Sequence, residues 1–321
     1  MDRPAFLTEL HSRFAVPRAV LVELVERSSA GRVVTVQRLI SGDENEVYRV
    51  SLADGSVVYP RIGIPGTPAG KPRWEAWAMD RARIAGVPVP AVLAVEAVEN
   101  GRYAMVVSEA PGRQLAAARP SLSDADYLEV MTDLGRVLAR LHSLRMPGAG
   151  VPDDDETWPD PATHRRRYLA NRMADCEQLG MAGLTRDESA QVIALLSDAP
   201  DLPVSDEPVL CHGDLGDEHV FIDSHLKVCG LIDWGMWSAG SAVGDLAAAA
   251  ISHDDTSFAA IVAGHNAGSP TDPAFWRAIR CSLVARLVAN IGWYVTSGQT
   301  AMLEPTGTTL RRVLNDIAAT R

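Results

Sequence analysis

The stretch HGDLGDEHVFID (residues 212–223) is separated by six residues from GLIDWG (residues 230–235). Each stretch places an aspartate beside a short, strand-like apolar run, Asp214 in the first and Asp233 in the second. Either motif by itself occurs in many unrelated folds. The information lies in their joint spacing, with His219 five positions after Asp214 and only a short hairpin before Asp233.

Phosphoryl transfer is the chemistry that needs two acids in this arrangement. One carboxylate orients the acceptor hydroxyl and takes its proton, while a second holds Mg²⁺ on the phosphates of a nucleotide. The segment from His212 to His219 resembles the protein-kinase catalytic loop H-R-D-x4-N, and IDWG stands where protein kinases have D-F-G. The pattern therefore favours a kinase-type reaction, with Asp214 as the catalytic base and Asp233 as a metal ligand.

The bulk composition argues against several classes of protein. The chain has 321 residues, of which 47% are hydrophobic and 22% charged, enough for two lobes with separate cores. No apolar run approaches the roughly 18–20 residues of a membrane span, and the N-terminus lacks a signal-peptide core. A net charge of −11 argues against binding to nucleic-acid phosphates. The four cysteines form no CxxC pair, so we expect reduced thiols and a cytoplasmic location.

The pattern of strands and helices changes along the chain. VVTVQRLI, EVYRVSL and SVVYPRIGI predict antiparallel strands, and PRWEAWAMDRARIAG predicts a helix that ends at Gly86. Beyond APG (residues 110–112) the pattern is helical and starts with a helix capped at Ser123. We predict an α+β fold, with a small antiparallel-sheet lobe over residues 1–109 and a larger helical lobe over residues 110–321.

The block from Cys211 to Ala250 resembles the aminoglycoside and macrolide phosphotransferase family, which are small-molecule kinases with a protein-kinase-like, two-lobe fold. GSAVGDLA (residues 240–247) is similar to the family's Gly-Asp-Pro-x-x-Asp-Leu-Ala segment, although Ser241 and Ala242 replace its Asp-Pro. The likeness covers most of the chain. It implies that His212 and Asp245 support the catalytic loop, that residues 1–109 bind the nucleotide, and that residues 110–321 bind the acceptor.

In the small lobe the resemblance implies a set of nucleotide contacts. ISGDENEVYRV looks like the family's nucleotide-covering hairpin, which would bring Ser41 and Gly42 near the phosphates. The segment VVSEAPG would then connect the lobes, with backbone groups of Ser108 and Ala110 meeting the purine.

The segment SVVYPRI places Arg61 where protein kinases have the lysine of their third strand, and Glu75 fits the helix carboxylate that pairs with this cation. Pro60 is unexpected inside a strand because proline cannot donate a hydrogen bond to the neighbouring strand. The alternative is that Glu75 is a solvated charge on the helix surface.

The residue at position 219 differs between two branches of the family. Aminoglycoside enzymes typically have Asn there as a second metal ligand, whereas macrolide enzymes and many relatives have His. The catalytic loop looks closer to this second group, whose members often use GTP. The resemblance thus implies Mg²⁺ held by Asp233 and His219, with ATP or GTP as phosphoryl donor. The alternative is that His219 only packs and that Asp233 holds the metal alone.

Two acidic groups outside the motifs are weaker candidates. We interpret the acidic loop at residues 153–155 as a solvated surface loop, in preference to a contact with a cationic antibiotic. His253, Asp254 and Asp255 follow the helix that begins with GDLA and are candidates for the acceptor pocket.

Three functions remain open from the sequence. The first is an antibiotic O-phosphotransferase, whose substrate would be a small-molecule antibiotic. It would bind neither nucleic acid nor a membrane. The second is a metabolic kinase of the same fold, acting on a sugar, a choline-like compound or an amino alcohol, since fold does not settle substrate. The third is a nucleotide-binding regulatory pseudokinase, which the presence of both aspartates disfavours.

Overall fold

The computed structural model describes residues 3–29, 31–42, 44–68, 70–198, 207–268 and 271–319. Contacts divide this part of the chain into two compact units. We call residues 3–115 with residues 219–235 the N-terminal unit. The C-terminal unit consists of residues 116–218 and the described residues from 236 onward. The segment that carries the second aspartate motif thus packs with the early part of the chain.

The N-terminal unit is built on a five-stranded antiparallel sheet with strand order β1-β2-β3-β5-β4. Its strands are β1 (Val33–Leu39), β2 (Asn45–Leu52), β3 (Val57–Gly63), β4 (Val92–Ala97) and β5 (Tyr103–Ser108). Its helices are α1 (Arg3–Ser12), α2 (Arg18–Ser29) and α3 (Gly70–Ile84). Every second residue of β2 is buried, as expected for a strand with one face in the core, and α2 packs in the same cluster. A smaller sheet, of order β6-β8-β9, contains β6 (Arg113–Gln114), β8 (Val220–Ile222) and β9 (Val228–Leu231).

Pro60 lies inside β3 and is buried there. It is paired with Val106 of β5, but the ladder between β2 and β3 is interrupted at Tyr59 and Pro60. The pairs on either side of the gap, Val47 with Arg61 and Val50 with Val58, keep one register. The proline therefore removes local pairing to β2 without shifting Arg61 along the strand.

The C-terminal unit is mainly helical. After α4 (Leu115–Ala118), its helices are α5 (Asp124–His142), α6 (Pro161–Asp175), α7 (Arg186–Asp198), α8 (Ala242–Ser252), α9 (Asp255–His265), α10 (Pro273–Ser297) and α11 (Leu303–Ala319). A two-stranded sheet pairs β7 (Val209–Cys211) with β10 (Ser238–Gly240). The predicted cap of α5 is confirmed, because the Ser123 hydroxyl accepts the Asp126 N–H and the Asp126 carboxylate accepts the Ser123 N–H.

The predicted α+β class is confirmed by these elements. In the described part of the chain, no helix is long and apolar enough to span a bilayer. The assignment of nucleotide binding to residues 1–109 and acceptor binding to residues 110–321 stays a prediction.

Helices α5 and α9 approach each other closely at two glycines. A Cβ added to Gly135 would lie 2.0 Å from the Ile261 carbonyl oxygen, and one added to Gly264 would lie 1.9 Å from the Thr132 carbonyl oxygen. Both distances are far below a van der Waals contact, and the opposing atoms are backbone atoms that cannot rotate away. The glycines therefore set the spacing of this helix pair.

We expect Gly135→Ala to lower the free energy of unfolding by about 1–3 kcal/mol or more, the cost of forcing a methyl group into a packed interior. Alanine favours a helix by roughly 1 kcal/mol over glycine, so a net loss shows that the steric penalty is larger. The measurement is thermal and urea denaturation. The control is Gly180→Ala, where the added Cβ has no neighbour within 4 Å. Equal melting temperatures for both variants would contradict the close approach.

Candidate active site

We call residues 212–219 the catalytic loop, after the kinase motif that they resemble. In the C-terminal unit, the Asp245 carboxylate organises the start of this loop. Asp245 lies in the first turn of α8 and is 3% exposed. It accepts the backbone N–H groups of His212 at 2.9 Å and Gly213 at 2.7 Å, and His142 Nε2 lies 2.9 Å from its Oδ2. His142 Nδ1 is in turn 2.9 Å from His265 Nε2.

These hydrogen bonds keep Asp245 ionised. Burial by itself would raise the pKa of the carboxyl group, but the hydrogen bonds from His142 and from the His212 backbone hold it below its usual range. A carboxylate with this many donors can remain charged in an apolar interior. The geometry of residues 212 and 213 is therefore tied to a buried negative charge.

Gly213 is required for the shape of this loop. Its φ is +85°, and an added Cβ would lie 2.2 Å from the Met236 carbonyl oxygen. The Arg286 guanidinium of α10 donates to the Gly213 carbonyl, and the Asp214 N–H donates to His212 Nδ1 at 3.3 Å. The backbone around Asp214 is thus held from several sides, and its side chain is half-buried.

In the N-terminal unit, Arg61 of β3 contacts two acidic side chains. It forms an ion pair with Glu75 of α3 and donates to Asp233 Oδ1 at 3.0 Å. Arg61 and Glu75 are largely buried, whereas the Asp233 side chain is 42% exposed. The expectation from the kinase resemblance that Arg61 and Glu75 meet agrees with this contact, and their nucleotide-binding roles stay predictions.

The charges in this cluster depend on one another. Burial opposes the charge of Arg61, but the carboxylates of Glu75 and Asp233 keep the pKa of its guanidinium above its ordinary value. Burial raises the pKa of Glu75, Arg61 lowers it, and Asp233 adds to the increase, so that it stays above its usual range. Arg61 therefore faces two carboxylates, and the more exposed one, Asp233, can take a further positive ligand.

His219 and Asp233 are close enough to share a metal ion. His219 Nε2 lies 3.5 Å from Asp233 Oδ2, and two neighbouring ligands of an octahedral Mg²⁺, with bonds of about 2.1 Å, are about 3 Å apart. The donors, an imidazole nitrogen and a carboxylate oxygen, are both capable of binding divalent ions. The Ile232 N–H donates to the His219 carbonyl at 2.9 Å and keeps the two segments together. The residues thus fit a divalent cation, with Asp233 as the more exposed ligand.

Sequence reasoning missed two charged residues of this region. Glu44 binds Lys71 Nζ with both carboxylate oxygens at 2.7 Å, and both residues line a small cleft together with Asn45, Arg61 and Glu75. The available signal was the polar run ENE (residues 44–46), which spans the start of β2. It gave no reason to pair Glu44 with a residue 27 positions away.

The remaining nucleotide candidates have these positions. Ser41 is exposed in the turn between β1 and β2, and Gly42, with φ +71°, accepts a hydrogen bond from the His11 ring at 2.9 Å. Ser108 ends β5, and its N–H donates to the Ala91 carbonyl at 2.9 Å, so that donor is already engaged. Ala110 is buried. Their roles toward a nucleotide stay predictions.

The three acceptor candidates have contacts within the protein. The His253 side chain has no exposed area and hydrogen bonds through both ring nitrogens. Asp254 caps α9 by accepting the Ser257 N–H at 2.8 Å, while Asp255 is exposed and lies 3.7 Å from Arg312. Their assignment to an acceptor pocket stays a prediction.

Comparison with known proteins assigns the chain to a family. Residues 35–279, more than half of the chain, match the family model described as phosphotransferase enzyme family. The chain belongs to this family. A curated relative, the aminoglycoside 3'-phosphotransferase of Streptomyces fradiae, is 34% identical over 170 residues, which is 51% of this chain and 58% of the relative. The match therefore spans little more than half of that relative.

Solved structures of phosphotransferases share the fold. A thermostable mutant of aminoglycoside phosphotransferase APH(4)-Ia has a TM-score of 0.69 at 16% identity, covering 91% of this chain and 97% of its own. The macrolide 2'-phosphotransferase of Brachybacterium faecium gives 0.63 at 18% identity, covering 92% and 98%. A fructosamine-3-kinase-like protein of Thermobifida fusca gives 0.64 at 20%, covering 91% and 98%. The family resemblance and the kinase-like fold are confirmed, and the likeness of His219 to the macrolide branch stays a prediction.

We expect Asp245→Asn to lower the free energy of unfolding at neutral pH by about 1–3 kcal/mol. Three hydrogen-bond donors face Asp245, and the NH₂ group of asparagine would face one of them, so that two donors would oppose each other. The folded-state pKa of Asp245 is lowered, so its contribution is present above the unfolded value of about 3.9 and is lost as pH falls through the folded value. The stability difference between the two proteins should therefore shrink below about pH 4.

The measurement is urea denaturation across a pH series. The control is Asp80→Asn, which changes an exposed carboxylate 3.5 Å from Arg83 and should have little effect. If Asp245→Asn is as stable as the wild type at neutral pH, the carboxylate does not hold the loop.

Proposed function

We propose that this phosphotransferase-family chain is an antibiotic O-phosphotransferase, which transfers the γ-phosphoryl group of ATP or GTP to a hydroxyl of an antibiotic. The observation that carries the substrate class is the 34% identity to an aminoglycoside 3'-phosphotransferase. Structural relatives of the APH(4)-Ia type have been solved with hygromycin B and with ADP or AMP-PNP, which supports a nucleotide donor. Macrolides and aminoglycosides are both candidate acceptors.

Asp214 is the proposed catalytic base. Its side chain is half-buried, and the preceding residues are held by Asp245 and Arg286, so the carboxylate has a defined position. In the reaction it orients the acceptor hydroxyl and takes its proton as the oxygen attacks phosphorus. The phosphorus–oxygen bond to the nucleoside diphosphate breaks in the same step, and the diphosphate leaves with the electron pair.

Arg61, Asp233 and His219 are the proposed phosphate and metal residues. A bound Mg²⁺ would neutralise charge on the transferred phosphoryl group and on the leaving diphosphate. Asp233 and His219 supply the ligands that fit it, and Arg61, held in place by Glu75, supplies a fixed cation for the α- and β-phosphates. Glu75 thus acts by orienting Arg61.

The test is a screen of purified protein with ATP or GTP and Mg²⁺ against aminoglycosides, macrolides, sugars and amino alcohols. A mass gain of one phosphoryl group on an antibiotic, together with resistance of expressing cells, supports the proposal. Transfer only to a sugar or an amino alcohol would replace it with the metabolic-kinase alternative. Nucleotide binding without any acceptor, alongside a tight protein partner, would favour the pseudokinase.

We expect Asp214→Asn to lower kcat by about 10²-fold or more, because the amide keeps the shape of the side chain but cannot accept a proton. Nucleotide affinity should change little. The measurement is steady-state kinetics together with nucleotide titration. The control is Asp187→Asn, an exposed residue of α7. Turnover near the wild-type value would remove Asp214 from the role of base.

A second expectation concerns the donor. If the resemblance of the catalytic loop to the macrolide-type enzymes extends to the purine pocket, kcat/KM with GTP equals or exceeds that with ATP. Both donors are compared at saturating acceptor and Mg²⁺. A strong preference for ATP would place the chain with the aminoglycoside-type enzymes despite His219.

A further inference from the structure

Asp217 is a carboxylate of the catalytic loop that the proposed phosphoryl transfer does not use. It begins a short turn over residues 217–219, three positions after Asp214. The Tyr127 hydroxyl of α5 lies 3.0 Å from each of its oxygens, and His253 Nε2 lies 3.2 Å from Oδ1. Two side chains, from positions 90 and 36 residues away, therefore converge on this one carboxylate.

His253 directly follows α8, and its hydrogen bonds determine its charge. Its side chain has no exposed area. Nδ1 lies 2.8 Å from the Ala249 carbonyl oxygen, which can only accept, so Nδ1 carries a hydrogen. Nε2 faces a carboxylate, so it carries a hydrogen as well. With both nitrogens as donors, the ring is a buried imidazolium.

The surrounding charges favour this state. Burial lowers the pKa of His253, but the hydrogen bonds to Asp217 and Ala249 and the negative charges of Asp217 and Glu218 raise it above its ordinary value. Asp254 adds a further negative charge that interacts with His253. On the far side of Tyr127, Arg119 stacks over the phenol ring at 4.1 Å and pairs with Asp124 at 2.9 Å.

We propose that His253 is a positioning residue that, in its doubly protonated form and together with Tyr127, holds Asp217 and thereby fixes the end of the catalytic loop that carries Asp214. The effect on turnover rests on the proposed function, whereas the effect on the loop does not. Loss of either ring proton leaves a lone pair facing an oxygen, of the Asp217 carboxylate or of the Ala249 carbonyl, so one hydrogen bond is replaced by repulsion and the positive charge that attracts Asp217 is lost.

The pH dependence has a definite sign. The folded-state pKa of His253 is raised, so its contribution is complete below the unfolded value of about 6.5 and is lost as pH rises through the folded value. The loop therefore loosens toward alkaline pH. This dependence is opposite in sign to that of a general base, whose contribution to activity increases as pH rises.

The first measurement is hydrogen–deuterium exchange of the peptide covering residues 212–219, corrected for the intrinsic effect of pH. In the wild type, protection should fall by about tenfold from pH 6 to pH 9, the scale of one charge-assisted hydrogen bond. His253→Gln cannot titrate and should show no such fall. His225→Gln, the same change at an exposed histidine, should behave as the wild type.

The second measurement is the titration of the imidazole nitrogens by ¹H–¹⁵N correlation spectra, with His253→Gln assigning the signals. The ring of His253 should be doubly protonated at neutral pH. Asp217→Asn removes the charge that stabilises this form and should shift the titration to lower pH, and it serves as the second variant if His253→Gln folds poorly. A singly protonated ring at pH 6, or protection that does not depend on pH in the wild type, overturns the proposal.

The third measurement is kcat against pH at saturating nucleotide and acceptor. The wild type and His225→Gln should lose activity on the alkaline side with little change in nucleotide KM, and His253→Gln should lack this limb. An alkaline limb that persists in His253→Gln overturns the link to turnover. If no acceptor is phosphorylated, the proposed function fails, while the exchange and titration measurements still decide whether His253 holds the loop.

Discussion

The hydrogen bonds from the backbone of residues 212 and 213 to Asp245 are the constraint on which the catalytic loop depends. A buried carboxylate is costly unless donors surround it, and Asp245 has two backbone donors and the ring of His142. Its place in the first turn of α8 adds the favourable field of a helix N-terminus. Because the donors are backbone groups, the bond fixes the course of the chain before Asp214 and does not depend on a flexible side chain.

The N-terminal unit uses charge in a different way. Arg61 holds two carboxylates, one on α3 and one after β9, so a helix and a late segment of the chain meet at one guanidinium. Asp233 has a φ of +63°, which is strained for a residue with a Cβ, and such strain persists only where the surroundings impose it. The contacts with Arg61 and His219 are those surroundings. With this backbone conformation its carboxylate lies 3.0 Å from Arg61 Nη2 and 3.5 Å from His219 Nε2.

Local patterns in the sequence predicted the parts of the fold that local physics decides. The β-branched runs predicted the strands β1, β2 and β3, and the Ser123 cap predicted the start of α5. The family resemblance identified Arg61, Glu75 and Asp233 as candidate site residues. The contacts of Asp217 with His253 and of Glu44 with Lys71 were missed, because no local pattern specifies which of many exposed-looking charges meet after folding. The assignment of His253 to an acceptor pocket stays a prediction.

Asp245 and Asp217 hold the two ends of one loop by bonds of different kinds. The Asp245 side chain has no exposed area and receives backbone N–H groups, which do not titrate, so its bond persists across the neutral pH range. Asp217 is 21% exposed and receives only side-chain donors among its described contacts, one of them an imidazolium. The start of the loop is therefore held by backbone donors that do not titrate. Asp217 is held by the Tyr127 hydroxyl and, in our proposal, by the His253 imidazolium, whose hydrogen bond is lost with its proton. In this proposal Asp214, the proposed base, follows a backbone that is fixed at residues 212 and 213 and precedes a contact at Asp217 that weakens as pH rises.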